Sequence, residues 1–319
     1  MKRVKIGIMI LIISVLVGCK ESKSMIPEAV EGTIGQEKIT ITPYPGDTTM
    51  DSETLPNIPL VMDQESMVFA VNHILYEKKW DEKEGTLRKK GEILSRGKSK
   101  EKSTIKDLSL EEGLLLSIDE NQRATLFKDK EGTLLQQHLS FGMLLPKKEE
   151  LLGIKNHRIM KGTIKDGQVE KMEAFPLPGL MDPHVSKEKN LTTLHFMNHS
   201  GDQILVGGKT KDDVSMVYVY NEDGTPIMYL GGTWGHMTGA ASGAKVKDRY
   251  YIVDTTSNIL LLYNDQGGEI GWIHIGELFK DKEVFLRSVA SFEDRLYGGF
   301  AIKNESGGYE VFIGELKVE

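Results

Sequence analysis

The sequence predicts an all-β protein folded as a six-bladed β-propeller, and three observations support this. A short strand signal recurs six times, at residues 67–74, 113–119, 150–155, 202–208, 249–254 and 295–302. The starting positions step by 46, 37, 52, 47 and 46 residues, a period typical of propeller blades and too long for most helical repeats. Glycine is abundant, at 33 of 319 residues, and polar-glycine pairs separate the strand signals, as hairpins require.

Those pairs predict hairpin turns at Glu84-Gly85, Glu131-Gly132, Asp166-Gly167, Asp223-Gly224 and Gly267-Gly268. After the apolar N-terminus, residues 108–116 come closest to a helical period. Gly113 interrupts this segment and argues against a helix.

The clearest repeat spans residues 230–276. It contains in order a strand, a polar turn, an apolar strand, a glycine turn and an alternating outer strand, at residues 250–253, 254–258, 259–263, 264–268 and 269–275. Residues 231–244 are small and glycine-rich, which suits the crossing from the outer edge of one blade to the innermost strand of the next. We expect Asp254 and Asn258 to bond the backbone of their own turn.

This stretch resembles an NHL repeat. The matching residues are Gly231-Gly232, Val253-Asp254, Asn258, Tyr263 and residues 264–267, whereas Ile259-Leu260 stand where such repeats often have arginine. With its N-terminus, the chain resembles the NHL and TolB-like six-bladed propeller lipoproteins of bacteria. The resemblance implies a rigid disc with two loop faces and a central hub.

The ring needs a closure, and residues 33–42 supply a candidate. They alternate like a strand but have no blade of their own, so we expect them to complete the C-terminal blade as its outer strand. Residues 43–59 are predicted to form an irregular loop. Residues 77–107, dense in lysine and glutamate, predict a solvated outer hairpin of blade one, or a contact with anionic lipid or wall polymer. In the alternative fold this segment forms a seventh blade.

The N-terminus predicts export and lipidation. Lys2, Arg3 and Lys5 precede a short apolar run that ends in Leu16-Val17-Gly18-Cys19, which looks like a bacterial lipobox. We therefore predict a signal peptide at 1–18, a tether at 19–32, and a propeller domain at 33–319. Cys19 would carry acyl chains such as palmitate and anchor the protein outside the cytoplasm, in the cell membrane or outer membrane. A plain signal peptide and an N-terminal anchor helix are the alternatives.

Composition excludes several classes of function. The formal net charge is −7 and the pI is near 5.7, which argues against nucleic-acid binding. The single cysteine excludes an intramolecular disulfide and, because it is the predicted lipid site, a cysteine nucleophile. The sequence has no GxSxG, HExxH, P-loop or EF-hand pattern. We expect a monomer.

Four residues are candidates for ligand binding: Trp234, His236, His184 and His195. The segments that enter propeller blades often line the central channel or its rim, where ligands and metals bind. The histidines, with His199, could also hold a metal, but His195 and His199 are expected to point in different directions. Asp182-Pro183-His184 is predicted to form a turn.

Two functions remain open. The first is a binding or scaffold module without a cofactor, for an envelope protein, a peptide or a glycan. The second is a metal-dependent hydrolase or lyase, because lactonase-type six-bladed propellers carry a hub calcium on Glu, Asn and Asp; Asn198, Asp202 and Glu283 are residues of those types here. Three or more ligand side chains that converge at the hub would favour the enzyme with Ca2+ or another divalent metal. A hub filled by Trp234, Met237 and aliphatic residues would favour the scaffold.

Overall fold

A computed structural model describes residues 26, 29–43, 50–79, 103–128, 131–145, 150–155, 158–165, 168–175, 177, 191–232, 235–280 and 282–319. The predicted signal peptide, Cys19, His184, Trp234 and most of the lysine-rich segment lie outside these residues. The same holds for the predicted turn at Glu84-Gly85.

The described residues contain 25 strands and one short helix, joined by turns and loops. The N-terminal strands are β1 (Val30–Ile34), β2 (Glu37–Pro43) and β3 (Met50–Ser52). Blade 1 has β4 (Leu60–Met62), β5 (Ser66–Val71) and β6 (Ile74–Lys79), and blade 2 has β7 (Ile105–Glu111), β8 (Leu114–Asp119), β9 (Arg123–Lys128) and β10 (Glu131–His138). Blade 3 has β11 (Phe141–Leu145), β12 (Glu150–Lys155), β13 (Arg158–Lys165) and β14 (Gln168–Ala174).

Blade 4 has β15 (Leu191–Ser200), β16 (Gln203–Thr210), β17 (Ser215–Asn221) and β18 (Pro226–Gly231). Blade 5 has β19 (Ala240–Val246), β20 (Arg249–Asp254), β21 (Ile259–Asn264) and β22 (Glu269–His274), followed by helix α1 (Ile275–Leu278). Blade 6 has β23 (Val284–Phe292), β24 (Arg295–Lys303) and β25 (Tyr309–Val318). No helix among the described residues is long and apolar enough to cross a membrane.

The blades form a closed ring of six. The first strand of each blade contacts the first strand of the next, in the order β4, β7, β11, β15, β19, β23 and back to β4. The prediction of a six-bladed propeller is confirmed. The seven-bladed alternative is wrong, because β4 and β7 are direct neighbours and Asn57 Nδ2 donates to the Lys106 carbonyl at 3.0 Å. The recurring strand signal marks the second strand of every blade.

The N-terminus closes the ring as predicted. Strand β2 pairs antiparallel with β25, from Ile39 opposite Val318 to Pro43 opposite Gly314, and so becomes the fourth strand of blade 6. The predicted single strand is a hairpin, because the chain turns at Gly35 (φ 61°) and β1 adds a fifth strand. The last residues of the predicted tether belong to β1. The predicted loop contains β3, which continues the fourth-strand position against β25.

The hairpin turns were mostly predicted correctly. Asp223-Gly224 and Gly267-Gly268 lie between paired strands. Asp166-Gly167 lies outside the described residues, and the residues on either side of it, Lys165 and Gln168, pair with each other. The Glu131-Gly132 turn is wrong, because both residues begin β10 and pair with β9. Gly113 separates β7 from β8 with a φ of 78°, a backbone conformation that glycine adopts at little cost.

The core lies between neighbouring blades, where sheet faces pack on each other. The cluster between blades 5 and 6 includes Leu260, Leu262, Phe300 and Phe312, all at most 1% exposed. The rings of Phe300 and Phe312 stack at 4.9 Å. Because both faces of each blade are covered, the middle strands are apolar at nearly every position, as β21 (ILLLYN) shows.

Candidate functional site: the hub channel

A cavity of about 500 Å³ runs along the propeller axis. Its wall comes from the first strands of all six blades and the residues beside them: 57, 59–64, 106–112, 141, 195–201, 241, 242, 245 and 287–293. Binding pockets for small ligands commonly have volumes of ~300–1,000 Å³. The channel is therefore large enough for a ligand.

Hydrogen bonds between neighbouring first strands show how the wall is layered. His195 Nδ1 lies 3.2 Å from the Ala240 carbonyl, and the Lys245 amide donates to Ser200 Oγ at 2.7 Å; both pairs are 45 residues apart. Ser242 Oγ donates to the carbonyl of Val289, 47 residues on, at 3.1 Å. The residue numbers of the paired positions increase in the same direction along both strands. The first strands therefore run parallel to one another, and equivalent positions form layers across the channel.

The layer at the N-terminal ends of these strands contains two cations. Arg287 Nε donates to the Pro56 carbonyl at 3.1 Å, and Asn57 Nδ2 donates to the Lys106 carbonyl. Lys106 Nζ lies 4.8 Å from the centre of the Phe141 ring. Arg287 and Lys106 therefore flank the Pro56-Asn57 segment, one on each side. We call this layer the cationic mouth: Asn57, Lys106, Phe141, His195 and Arg287.

Asp107 lies next to the mouth and faces blade 3. Its Oδ2 accepts a hydrogen bond from the Gly142 amide at 2.9 Å. Burial raises the pKa of the Asp107 carboxyl from 3.8 to about 7, and the backbone hydrogen bonds and the nearby Lys106 only partly oppose this. The group therefore exchanges its proton near neutral pH, which suits proton transfer or pH-sensitive binding.

The raised pKa of Asp107 predicts a pH-dependent stability. The unfolded chain releases this proton near pH 4 and the folded protein near pH 7, so the folded state binds more protons between these values. Stability from this group therefore falls as pH rises from about 4 to 7 and levels off above that. In thermal melts, we expect the unfolding midpoint of Asp107→Asn minus that of the wild type to increase as the pH is raised from 5 to 8.

The matched control for this prediction is Asp294→Asn, because Asp294 is largely exposed at 71%. Its midpoint relative to the wild type should change little across the same pH range. A difference between Asp107→Asn and the wild type that stays constant with pH would contradict the raised pKa.

His195 belongs to the cationic mouth as a neutral ring. Because a carbonyl only accepts, Nδ1 carries the proton that bonds Ala240 and Nε2 is unprotonated. Burial lowers the pKa of His195, so the ring is uncharged at neutral pH. A register shift between Leu194 and Phe196 places His195 on the blade 5 side of β15.

Of the residues considered for metal binding, those that the structure describes do not converge; His184 lies outside the described residues. His199 Nε2 lies 3.0 Å from Glu222 Oε1, whereas His195 bonds blade 5. Asn198 Nδ2 donates to the Gly243 carbonyl. Asp202 lies 3.7 Å from Lys245, and Glu283 pairs with Lys303 at 2.8 Å. Across the described ranges, no group of three His, Cys, Asp or Glu could hold a metal ion.

The opposite end of the channel is acidic. Asp63, Glu111, Glu112 and Glu293 line this end, near the C-terminal ends of the first strands. Asp63 is held by the amides of Ser66 and Gly113, at 2.9 and 3.2 Å. Lys245 also lines this end, but the four carboxylates outnumber it, so the channel changes from cationic to mainly anionic along its axis.

The other predicted residues lie away from the channel or outside the described ranges. His236 Nδ1 lies 2.6 Å from Glu269 Oε1, and its ring is 5.1 Å from that of Trp272, on the outermost strand of blade 5. The expectation that the entry segments line the channel is therefore wrong for His236. Met237 does not fill the hub either, because it is buried between blades 4 and 5.

Asp254 and Asn258 have different roles. Asp254 Oδ1 accepts from the amides of Thr256 and Ser257, as predicted for its own turn. The same prediction is wrong for Asn258, because its side chain forms hydrogen bonds with the next blade. Its Nδ2 donates to the Val284 carbonyl at 2.8 Å and its Oδ1 accepts from the Leu286 amide at 3.2 Å.

Sequence analysis missed Lys106, Asp107 and Arg287. All three lie on first strands, which precede the recurring signal and are less apolar. A charged residue within an otherwise apolar segment, as in β23 (VFLRSVASF), was the available signal.

Comparisons with known proteins add little beyond architecture. No family model and no curated protein matches the chain, so the resemblance to NHL and TolB-like repeats stays a prediction. Among solved structures, a streptogramin B lyase is 10% identical with a TM-score of 0.47, covering 90% of this chain and 100% of that one. The WD40 propeller domain of Doa1 is 11% identical with a TM-score of 0.47, covering 88% and 84%. The strand pairings themselves establish that this chain is a β-propeller.

Proposed function

We propose that this protein is a lipid-anchored, extracytoplasmic binding module whose ligand enters the hub channel and binds without a metal. The observation that carries the proposal is the open cavity of about 500 Å³, walled by the first strands of six blades and lined with polar side chains. A rigid ring that holds a pocket at its axis is suited to binding with little change in backbone. The ligand would be a peptide or glycan, or part of an envelope protein.

The proposed lipid anchor is supported by the sequence of the N-terminus. Leu16-Val17-Gly18-Cys19 follows a short apolar run and contains the single cysteine of the chain. A diacylglycerol on Cys19 would hold the protein at a membrane, with the propeller outside the cytoplasm. Among the candidate residues, His195 would contact the ligand. Trp234 and His184, which lie outside the described residues, are proposed as ligand contacts from the sequence alone, and His236 would act at the outermost strand of blade 5.

The test uses the full chain purified in mild detergent, with a panel of short peptides and oligosaccharides as probes. Ligand at a hundred times its Kd stabilises by about 2.7 kcal/mol, so a bound probe should raise the unfolding midpoint by roughly 5 °C. Ala241→Trp places a large ring in the channel wall and should abolish that shift. Cell fractionation of Cys19→Ser tests the anchor, and the variant should leave the membrane fraction.

The matched control is Lys211→Trp, which adds the same ring on an exposed turn of blade 4 and should keep the shift. A probe that stabilises Ala241→Trp as much as the wild type would place the site elsewhere. Membrane association of Cys19→Ser equal to that of the wild type would contradict the lipid anchor.

A further inference from the structure

Arg287 is the channel's most unusual group. Its guanidinium is partly buried in the hub wall, and burial lowers its pKa, yet arginine stays charged in proteins. Among the described residues its side chain forms one hydrogen bond, from Nε to the Pro56 carbonyl, and no ion pair. A guanidinium that is partly withdrawn from water is stabilised by an anion that pairs with it, because the pair replaces part of the lost hydration.

The geometry of Arg287 indicates which kind of anion its guanidinium would bind. The bond to Pro56 uses Nε and fixes the plane of the guanidinium. The two terminal Nη groups are then the donors left over. Such a pair matches the two oxygens of a carboxylate in a bidentate contact, which is a strong and directional hydrogen-bonding arrangement.

Lys106 adds a second cation to the same layer. Its Nζ lies over the Phe141 ring at 4.8 Å and forms no ion pair with the described residues. Arg287 and Lys106 are joined to consecutive residues, Pro56 and Asn57, so both occupy the mouth. His195, neutral and protonated on Nδ1, adds no charge to this layer.

The rest of the protein makes the mouth distinctive. The chain has a formal net charge of −7, and Asp63, Glu111, Glu112 and Glu293 line the far end of the channel. Asp107 is the carboxyl nearest to the mouth, and its Oδ2 already accepts from the Gly142 amide. An anion would therefore be attracted at one end and repelled at the other, which fixes its depth and direction.

We propose that the cationic mouth binds the carboxylate of a small ligand, with Arg287 as bidentate anchor and Lys106 as second cation. This inference rests on the proposed function and names the chemical group that the channel recognises. The uncharged part of the ligand would extend along the channel past Asn198, Ser242 and Ser288. A sugar acid and the C-terminus of a peptide both present this carboxylate, and the experiment separates them.

The experiment measures binding of matched acids and amides to the detergent-purified full chain by calorimetric titration. One pair is glucuronate and glucuronamide, and the other is N-acetyl-alanyl-alanine and its C-terminal amide. In at least one pair we expect the acid to bind at least tenfold more tightly than the amide. Arg287→Gln should remove that preference, and Arg287→Lys should keep part of it, because lysine keeps the charge without the bidentate geometry.

The control is Lys303→Gln, which removes a cation from blade 6 at an exposed pair with Glu283 and should leave binding unchanged. Arg287→Gln also removes the hydrogen bond to the Pro56 carbonyl, so a lowered unfolding midpoint does not decide the question. The deciding readout is selectivity: the affinity for the acid should fall while that for the amide stays the same, whereas a purely structural arginine would weaken both alike. Equal binding of acid and amide in both pairs overturns the proposal, as does wild-type binding by Arg287→Gln. If uncharged probes still depend on Ala241, the binding module stands and only the carboxylate assignment falls.

Discussion

Replacing Ile39 and Ile41 together by alanine is expected to lower the free energy of unfolding by about 4–8 kcal/mol, as two buried isoleucines cost about 2–4 kcal/mol each. Both side chains are fully buried on β2. They belong to the core cluster that contains Phe300 and Phe312. Since β2 is the strand from the N-terminus that completes blade 6, its loss also uncovers the edge of β25.

The measurement is urea unfolding of the full chain, with sedimentation velocity as a second readout. An exposed edge invites pairing with another chain, so the double variant should also self-associate. Thr42→Ala is the matched control, because Thr42 is exposed on the same strand and should change stability by less than about 0.5 kcal/mol. A double variant within about 1 kcal/mol of the wild type would show that β2 does not hold the ring closed.

Replacing Asp254 by alanine is expected to lower the free energy of unfolding by about 3–5 kcal/mol, because it leaves four backbone amides and one hydroxyl without their shared buried acceptor. Asp254 is completely buried. Its carboxylate accepts hydrogen bonds from two segments, the entry loop and its own turn: the Thr238 amide and hydroxyl, and the amides of Gly239, Thr256 and Ser257. No other polar side chain on blade 5 joins these two segments by as many hydrogen bonds among the described residues.

Urea unfolding also tests this prediction, with Asp265→Ala as the control on an exposed turn of the same blade. Asp254→Asn should fall between wild type and alanine, because its amide keeps one accepting oxygen and turns an NH2 group towards donors. Hydrogen exchange should increase first at the amides of Gly239 and Thr256. Equal midpoints for Asp254→Ala and Asp265→Ala would contradict the central role of this carboxylate.

The repeat, the blade number and the closing strand could be predicted because they depend on local patterns. Strands such as β20 (RYYIVD) carry their β-branched and aromatic residues in one short run, and glycine-rich turns flank them. These signals act over a few residues and recur with a fixed period. The hairpin at Gly35 was harder, because one alternating run of residues fits one strand as well as two.

The site could not be predicted in the same way. Arg287 and Lys106 are 181 positions apart in the sequence, and only ring closure places them on either side of Pro56-Asn57. His236 lies in the segment that enters blade 5, as expected. It pairs with Glu269 on the outermost strand of that blade, however, and not with residues of the channel. Asn258 lies in a turn whose backbone its side chain does not bond, because the first strand of the next blade offers backbone partners that a single repeat does not contain.

The outermost position of β1 determines how an anchored molecule would stand. Val30 lies on the rim of blade 6, far from both openings of the axis. Ile26 already packs against the core between blades 5 and 6, so with a lipid on Cys19 only seven Cα–Cα steps would connect the membrane to the disc, a reach of at most about 25 Å. The propeller would then be attached to the membrane through the outer edge of blade 6. Attachment at this edge would leave both openings of the channel clear of the tether, so a ligand would reach the cationic mouth from the solvent.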